Sequence, residues 1–221
     1  MKHRGIVAAF LGFFIASGLL SSVGEGSDLD ARVRAFLNNT NIRWWDMNVP
    51  APDGELLYQI VLENSYTKAL EIGTSTGRSA IYIAWALSKT GGKLTTIEID
   101  EGRYRQALAN FKAAGLEDFI DARLADAHEL VPKLEGPFDF VFIDADKDWY
   151  TNYAKALIPK ILPGGCISAH NVYERSWGRR GGGGGTAEYY AYMLSLPDFE
   201  TRILPEGSRS LAVSFKKNAA N

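Results

Sequence analysis

Acidic side chains stand near the ends of two short apolar runs. Glu71 lies in Lys68-Ala69-Leu70-Glu71-Ile72, and Glu98 in Lys93-Leu94-Thr95-Thr96-Ile97-Glu98-Ile99. The first run leads into Gly73-Thr74-Ser75-Thr76-Gly77-Arg78-Ser79. A carboxylate at such a place accepts hydrogen bonds from sugar hydroxyls and attracts positive charge, while a glycine turn lets a ligand approach the backbone. The spacing is G-x-x-x-G; dinucleotide binders carry G-x-G-x-x-G, whose second glycine admits a pyrophosphate. A nicotinamide cofactor is therefore disfavoured, and a ligand with a ribose and a positive charge but no phosphate is favoured. Asp126-Ala127 follows a third run; there an aspartate either accepts from an adenine amino group or caps a helix, and both readings stand. His128, beside Glu129, reads as a residue of an exposed helix face, and Cys166, inside an apolar run, as core.

These residues need a scaffold that gathers several strand ends. Apolar spacing predicts one helix around Leu29, Val33, Phe36 and Leu37 and another around Leu56, Leu57, Ile60 and Val61. Short apolar runs then alternate with amphipathic segments. Strands are expected at 68–72, 93–99, 119–124, 138–144 and 165–169, and helices from about Gly77, across Tyr104, Leu108 and Phe111, and over about 149–161. This alternation predicts an α/β fold, a Rossmann-like doubly wound sheet. Residues 199–217 read as two strands joined by a glycine-containing turn, which makes a seven-stranded sheet, mostly parallel, with a C-terminal antiparallel hairpin. Gly181 to Gly185, after Arg179 and Arg180, is expected to form a mobile loop, because ordering five glycines has a high entropic cost.

In an open parallel sheet the ligand binds beyond the carboxyl ends of the strands, at the switch point beside the first strand. That places the site at the end of 68–72. S-adenosylmethionine carries a ribose and a sulfonium and no phosphate, which suits Glu71, Gly73, Gly77 and Glu98 in register. Each glycine alone would mark only a strand-to-helix turn.

At these residues the chain resembles the class I S-adenosylmethionine-dependent O-methyltransferases of the cation-dependent catechol and caffeoyl-CoA type. The resemblance runs from about Arg43 to the C-terminus. It rests on Trp45-Asp46-Met47-Asn48-Val49, EIGTSTGRS at 71–79, TTIEID at 95–100, FIDADKD at 142–148 and SAHN at 168–171, in that order. It implies that Met47, Val49, Glu71, Gly73, Ser75, Ser79, Glu98, Asp126 and Ala127 surround the methyl donor, with Gly77 completing the turn, and that Trp45 borders the acceptor pocket. It further implies that Asp144 binds a divalent cation, that Lys147 is the general base, and that the positions of His170 and Asn171 complete the metal site. The acceptor implied is a hydroxyl of a small catechol-like aromatic.

The chemistry needs such groups, because a phenol with a pKa of about 10 is a poor nucleophile at neutral pH until something favours the phenolate. A chelated cation does so and also aligns the oxygen with the methyl carbon. One position departs from the family pattern: His170 stands where an aspartate precedes Asn171. Imidazole weakens a magnesium or calcium site and suits a transition metal, so Asp144, His170 and Asn171 read either as a transition-metal site or as one that has lost its metal. The alternatives are then a non-catalytic donor-binding protein and a methyltransferase acting on a macromolecule.

Composition bounds these readings. The chain has 221 residues, with 24 Lys and Arg against 26 Asp and Glu, enough apolar material for one domain and no basic excess for nucleic acid. One cysteine excludes a disulfide framework. Lys2, His3 and Arg4 precede an uncharged stretch from Gly5 to Gly24, which reads as a secretory signal peptide cleaved after Gly24 or as an uncleaved membrane anchor. Residues 25–221 then form the methyltransferase domain, exported or membrane-anchored although its donor is made in the cytosol. Membrane association through residues 5–24 and a homodimer are the partnerships left open.

Overall fold

The computed structural model describes residues 20–44, 47–174, 184–207 and 209–218, with residues 20–27 as backbone only. Most of the leader, Trp45, Arg179, Arg180 and Gly181–Gly183 lie outside the described residues. The first helix, α1 (Leu20–Leu37), runs without a break through Gly24. No helix among the described residues is long and apolar enough to cross a membrane.

After α2 (Ala51–Glu63) the chain enters the alternating pattern. It comprises β1 (Lys68–Ile72), α3 (Arg78–Thr90), β2 (Lys93–Glu98), α4 (Glu101–Ala114), β3 (Ile120–Leu124), α5 (Ala127–Leu130), β4 (Phe138–Ile143), α6 (Tyr150–Leu157), β5 (Ile161–Ala169) and α7 (Gly184–Leu194). The hairpin β6 (Phe199–Leu204) and β7 (Leu211–Lys216) ends it. Among the described residues the sheet has seven strands in the order β3-β2-β1-β4-β5-β7-β6. β7 is antiparallel to both neighbours and the other pairings are parallel.

Alternation along the strands separates two core layers. On β4, Phe140 and Phe142 pack with α1, α2 and α3 on one face, and Val141 and Ile143 pack with α6 and α7 on the other. All four are fully buried, so truncating either phenylalanine to alanine removes about 3–5 kcal/mol. Helix α3 is buried continuously from Ser79 to Leu87, because α2 covers the side that faces away from the sheet. Gly77 and Gly91, at φ +95° and +75°, bound it in the left-handed conformation.

Two sequence expectations change. The segment 184–194, given no element by its sequence, is helix α7, which buries Tyr189 and Met193 against α6. Gly184 and Gly185, expected in a mobile loop, are its first residues. A Cβ at Gly185 would lie 2.3 Å from the Lys147 carbonyl oxygen and 2.7 Å from the Asp148 Cα. The absence of that side chain lets α7 seat directly on the turn that carries Lys147.

Candidate active site

The order β2-β1-β4 puts the switch point between β1 and β4, which pair in register up to Ile72 and Ile143. A cleft of about 460 Å³ opens beyond these ends. Its floor is the turn after β1. The amides of Gly73 and Thr74 both donate to the Ile97 carbonyl, and Gly73 has φ +95°. A Cβ there would lie 2.4 Å from the Asp144 carbonyl oxygen, so the position is closed to any side chain. Ser75, at φ +49°, donates its amide to Glu98 Oε2 at 2.6 Å. Glu98 Oε1 accepts from the amides of Ile99 (3.1 Å) and Asp100 (2.9 Å). Three acceptor sites are thereby used, leaving the carboxylate one of about four for a hydroxyl in the cleft.

Met47, Gly73, Ser75, Glu98, Asp126 and Ala127 line the cleft, and Asp144 is at its edge. Asp126 also accepts from the His128 amide at 2.8 Å as the N-cap of α5, so both of its readings describe one geometry. The other four donor positions lie beneath or beside the turn. Gly77 caps α3. Val49 is buried, and its carbonyl accepts from Arg78 Nη1 at 3.2 Å. Glu71 and Ser79 are buried under the turn, where the Thr96 hydroxyl donates to Glu71 Oε2 at 2.5 Å. Burial pushes the Glu71 carboxyl up to about 8, against the partial opposition of hydrogen bonds from Ser79 and Thr96. Its Oε1 is buried without a partner and can still take a donor that reaches through the turn.

Several wall residues were not legible. His128 is half-buried and lines the cleft, contrary to its expected exposed position. Its ring stacks on Trp149 with centroids 3.8 Å apart and 14° between planes, and its Nε2 lies 3.4 Å from Asp146. Ile97, Ile99, Arg103 and Tyr153 complete the wall. An apolar and aromatic wall opposite an acidic ribose-binding position suits a purine nucleoside without phosphate.

At the other end Asp144, Lys147 and His170 meet. Lys147 Nζ donates to Asp144 Oδ1 and to the Tyr150 hydroxyl at 2.7 Å, and that hydroxyl donates to the His170 carbonyl at 3.2 Å. His170 is 2% exposed. Its Nδ1 is 3.1 Å from Asp144 Oδ2, and its Nε2 is 2.8 Å from Asp53 Oδ2, a fully buried carboxylate of α2. Burial alone would lower the His170 pKa, but Asp144 and then Asp53 outweigh it and hold it above the ordinary histidine value. Burial likewise opposes ionisation of Asp144, yet the His170 hydrogen bond and the Lys147 charge hold its pKa down. Asp53 carried no sequence signal beyond that of an acidic residue in a helix's first turn.

The donor set does not fit the divalent cation that the resemblance implies. Both His170 nitrogens face carboxylates on opposite sides, both Asp144 oxygens are engaged, and the Lys147 ammonium stands against one of them. Among the described residues no three His, Cys, Asp or Glu side chains converge as a metal-binding group. Asn171 has φ +55° and its amide donates to the Arg209 carbonyl at 3.3 Å.

The family model described as O-methyltransferase matches residues 22–177. Caffeoyl-CoA O-methyltransferase 1 of Eucalyptus globulus is 35% identical over 134 residues, which are 58% of this chain and 54% of that one. Catechol O-methyltransferase of Niastella koreensis is 41% identical over 107 residues, 47% of this chain and 48% of that one. The chain thus spans about half the length of the curated relatives it matches. Among solved structures, an O-methyltransferase from Bacillus cereus in complex with SAH aligns at TM-score 0.69 and 26% identity, covering 86% of this chain and 91% of that one. The family match covers most of the chain and includes both the glycine turn and the Asp144–His170 end of the cleft, so the chain belongs to the O-methyltransferase family.

Proposed function

We propose that this protein transfers the methyl group of S-adenosylmethionine to a hydroxyl of a small catechol-like aromatic. The observation that carries the reading is the continuity of one cleft. A nucleoside-shaped wall at Glu98, Asp126 and His128 leads to Asp144, and Lys147 stands beside Asp144 at the end of β4. The names of the relatives, caffeoyl-CoA and catechol O-methyltransferases, support the acceptor class, and the SAH complex of the Bacillus cereus protein supports the donor.

Each group has a definite task. The free acceptor site of Glu98 takes a ribose hydroxyl, and the aromatic and apolar wall holds the adenine. The acceptor enters with its hydroxyl toward Lys147. Proton transfer from a phenol to an amine is nearly isoenergetic, because the ordinary values for both lie near 10. Lys147 is the general base that takes the hydroxyl proton, and the Asp144 carboxylate and the Tyr150 hydroxyl stabilise the ammonium that results. The phenolate oxygen then attacks the methyl carbon in line with the departing sulfur, which discharges the sulfonium. The cleft keeps the donor's orientation fixed through the rigid Gly73 turn.

Incubation with S-adenosylmethionine and a panel of 1,2-dihydroxyphenols, followed by mass spectrometry, tests the reading. A monomethyl ether is the expected product. Tight binding of S-adenosylhomocysteine with no ether from any acceptor would identify a donor-binding protein instead.

A further inference from the structure

We propose that Asp53 and His170 together replace the divalent cation of this site, so that the clamped His170 ring takes the metal's place beside Asp144 and methyl transfer needs no metal. The inference rests on the methyltransferase reading above and adds a positioning residue, Asp53, to it.

Three observations converge. His170 replaces the carboxylate expected before Asn171, which removes a hard oxygen ligand. The ring is held from both sides, by Asp53 at 2.8 Å and Asp144 at 3.1 Å, so neither ring nitrogen faces an open coordination position. The other oxygen of Asp144 is taken as well, by Lys147 Nζ, so both of its oxygens are engaged within the protein. A divalent cation would have to break one of these contacts and would sit against Lys147 Nζ. Buried polar groups persist only when hydrogen-bonded, and these contacts satisfy both ring nitrogens and both Asp144 oxygens without an ion.

Asp53 acts through His170. It sits on α2, 117 residues away in sequence, and is fully buried. From there it fixes the ring plane and keeps Nδ1 directed at Asp144. Asp144 in turn is held next to Lys147. The groups that orient Asp144 and Lys147 toward the acceptor oxygen are thus supplied by the protein, with no ion to be loaded or lost.

The test uses the full chain saturated with S-adenosylhomocysteine. Mn²⁺ is titrated and followed by the electron paramagnetic resonance of the free ion, and Zn²⁺ by calorimetry. The wild-type protein is expected to leave both ions free up to about millimolar concentration, and its turnover is expected to stay within about twofold in EDTA. His170→Asp restores the adjacent Asp-Asn pair and should bind one Mn²⁺ with an affinity at least about tenfold above wild type. Stoichiometric binding of either ion by the wild type, or turnover abolished by EDTA and restored by metal, would overturn the proposal. If His170→Asp does not fold, the wild-type ion titrations and the EDTA assay decide alone. Failure to methylate any phenol would sink the functional reading alone, since the ion titrations read out independently of turnover.

Discussion

Replacing Glu71 by glutamine should change how the stability of this protein depends on pH. The carboxyl is fully buried beneath the Gly73 turn, and burial is the main reason its pKa rises from an ordinary value of 4.5 to about 8. Between these values the folded chain holds a proton that the unfolded chain has released. Folding stability therefore falls as pH rises through this window: the contribution of Glu71 is fully present below about 4.5 and is lost as pH passes about 8. At about 1.4 kcal/mol per pH unit, the loss between pH 5 and pH 8 is about 4 kcal/mol. Glutamine keeps the shape and the acceptor for Thr96 but does not titrate. Urea unfolding of both proteins at pH 5, 6.5 and 8 measures the difference. Glu71→Gln should gain about 4 kcal/mol relative to wild type across that range, starting from near parity or a small deficit at pH 5. Parallel stability curves, separated by a constant offset, would show that Glu71 is ionised in the folded state and refute the reasoning. A cationic donor near the unpartnered Oε1 would favour the ionised carboxyl, so saturating S-adenosylmethionine should reduce the slope in the wild type.

Other substitutions separate packing from chemistry. Gly73→Ala imposes about 1–2 kcal/mol for the left-handed backbone and drives a Cβ onto the Asp144 carbonyl; calorimetry should show weakened S-adenosylhomocysteine binding together with lower stability. Gly185→Ala should displace the Lys147 turn, destabilise by about 1–3 kcal/mol and lower kcat more than it raises the donor KM, as steady-state kinetics would show. Asp53→Ala leaves the buried His170 Nε2 without its partner and should remove about 1–3 kcal/mol of stability by urea titration, whereas Asp53→Asn keeps an acceptor for Nε2 and should lose less.

The sheet was legible because strands β1, β2, β4 and β5 are short apolar runs between helices, and a parallel strand covered on both faces has no other composition available to it. The hairpin was legible from its turn. Helix α7 was not: its Thr186, Tyr189 and Met193 follow helical spacing, but the preceding glycines mark the region as loop, and only packing against Tyr150 and Met193's neighbours overrides them. In the cleft, Gly73, Glu98 and Asp126 were legible from their places just at or beyond strand ends, and Ser75 only through the resemblance. His128 was misplaced because its burial depends on Trp149, which lies on a different loop. Replacement of the aspartate by His170 was visible as a departure, but its meaning was not, since the partner that gives it meaning, Asp53, belongs to a helix before the first strand.

The most direct test of the central claim is the stoichiometry of methyl transfer in the wild type and in Lys147→Gln, with S-adenosylhomocysteine and methylated catechol measured in the same reaction. The wild type should form the two products one to one. Lys147→Gln should bind S-adenosylhomocysteine as wild type does and lose about 10²- to 10⁴-fold in kcat. Wild-type turnover in Lys147→Gln, or S-adenosylhomocysteine formed without methylated catechol, would contradict a hydroxyl methyl transfer performed at Lys147.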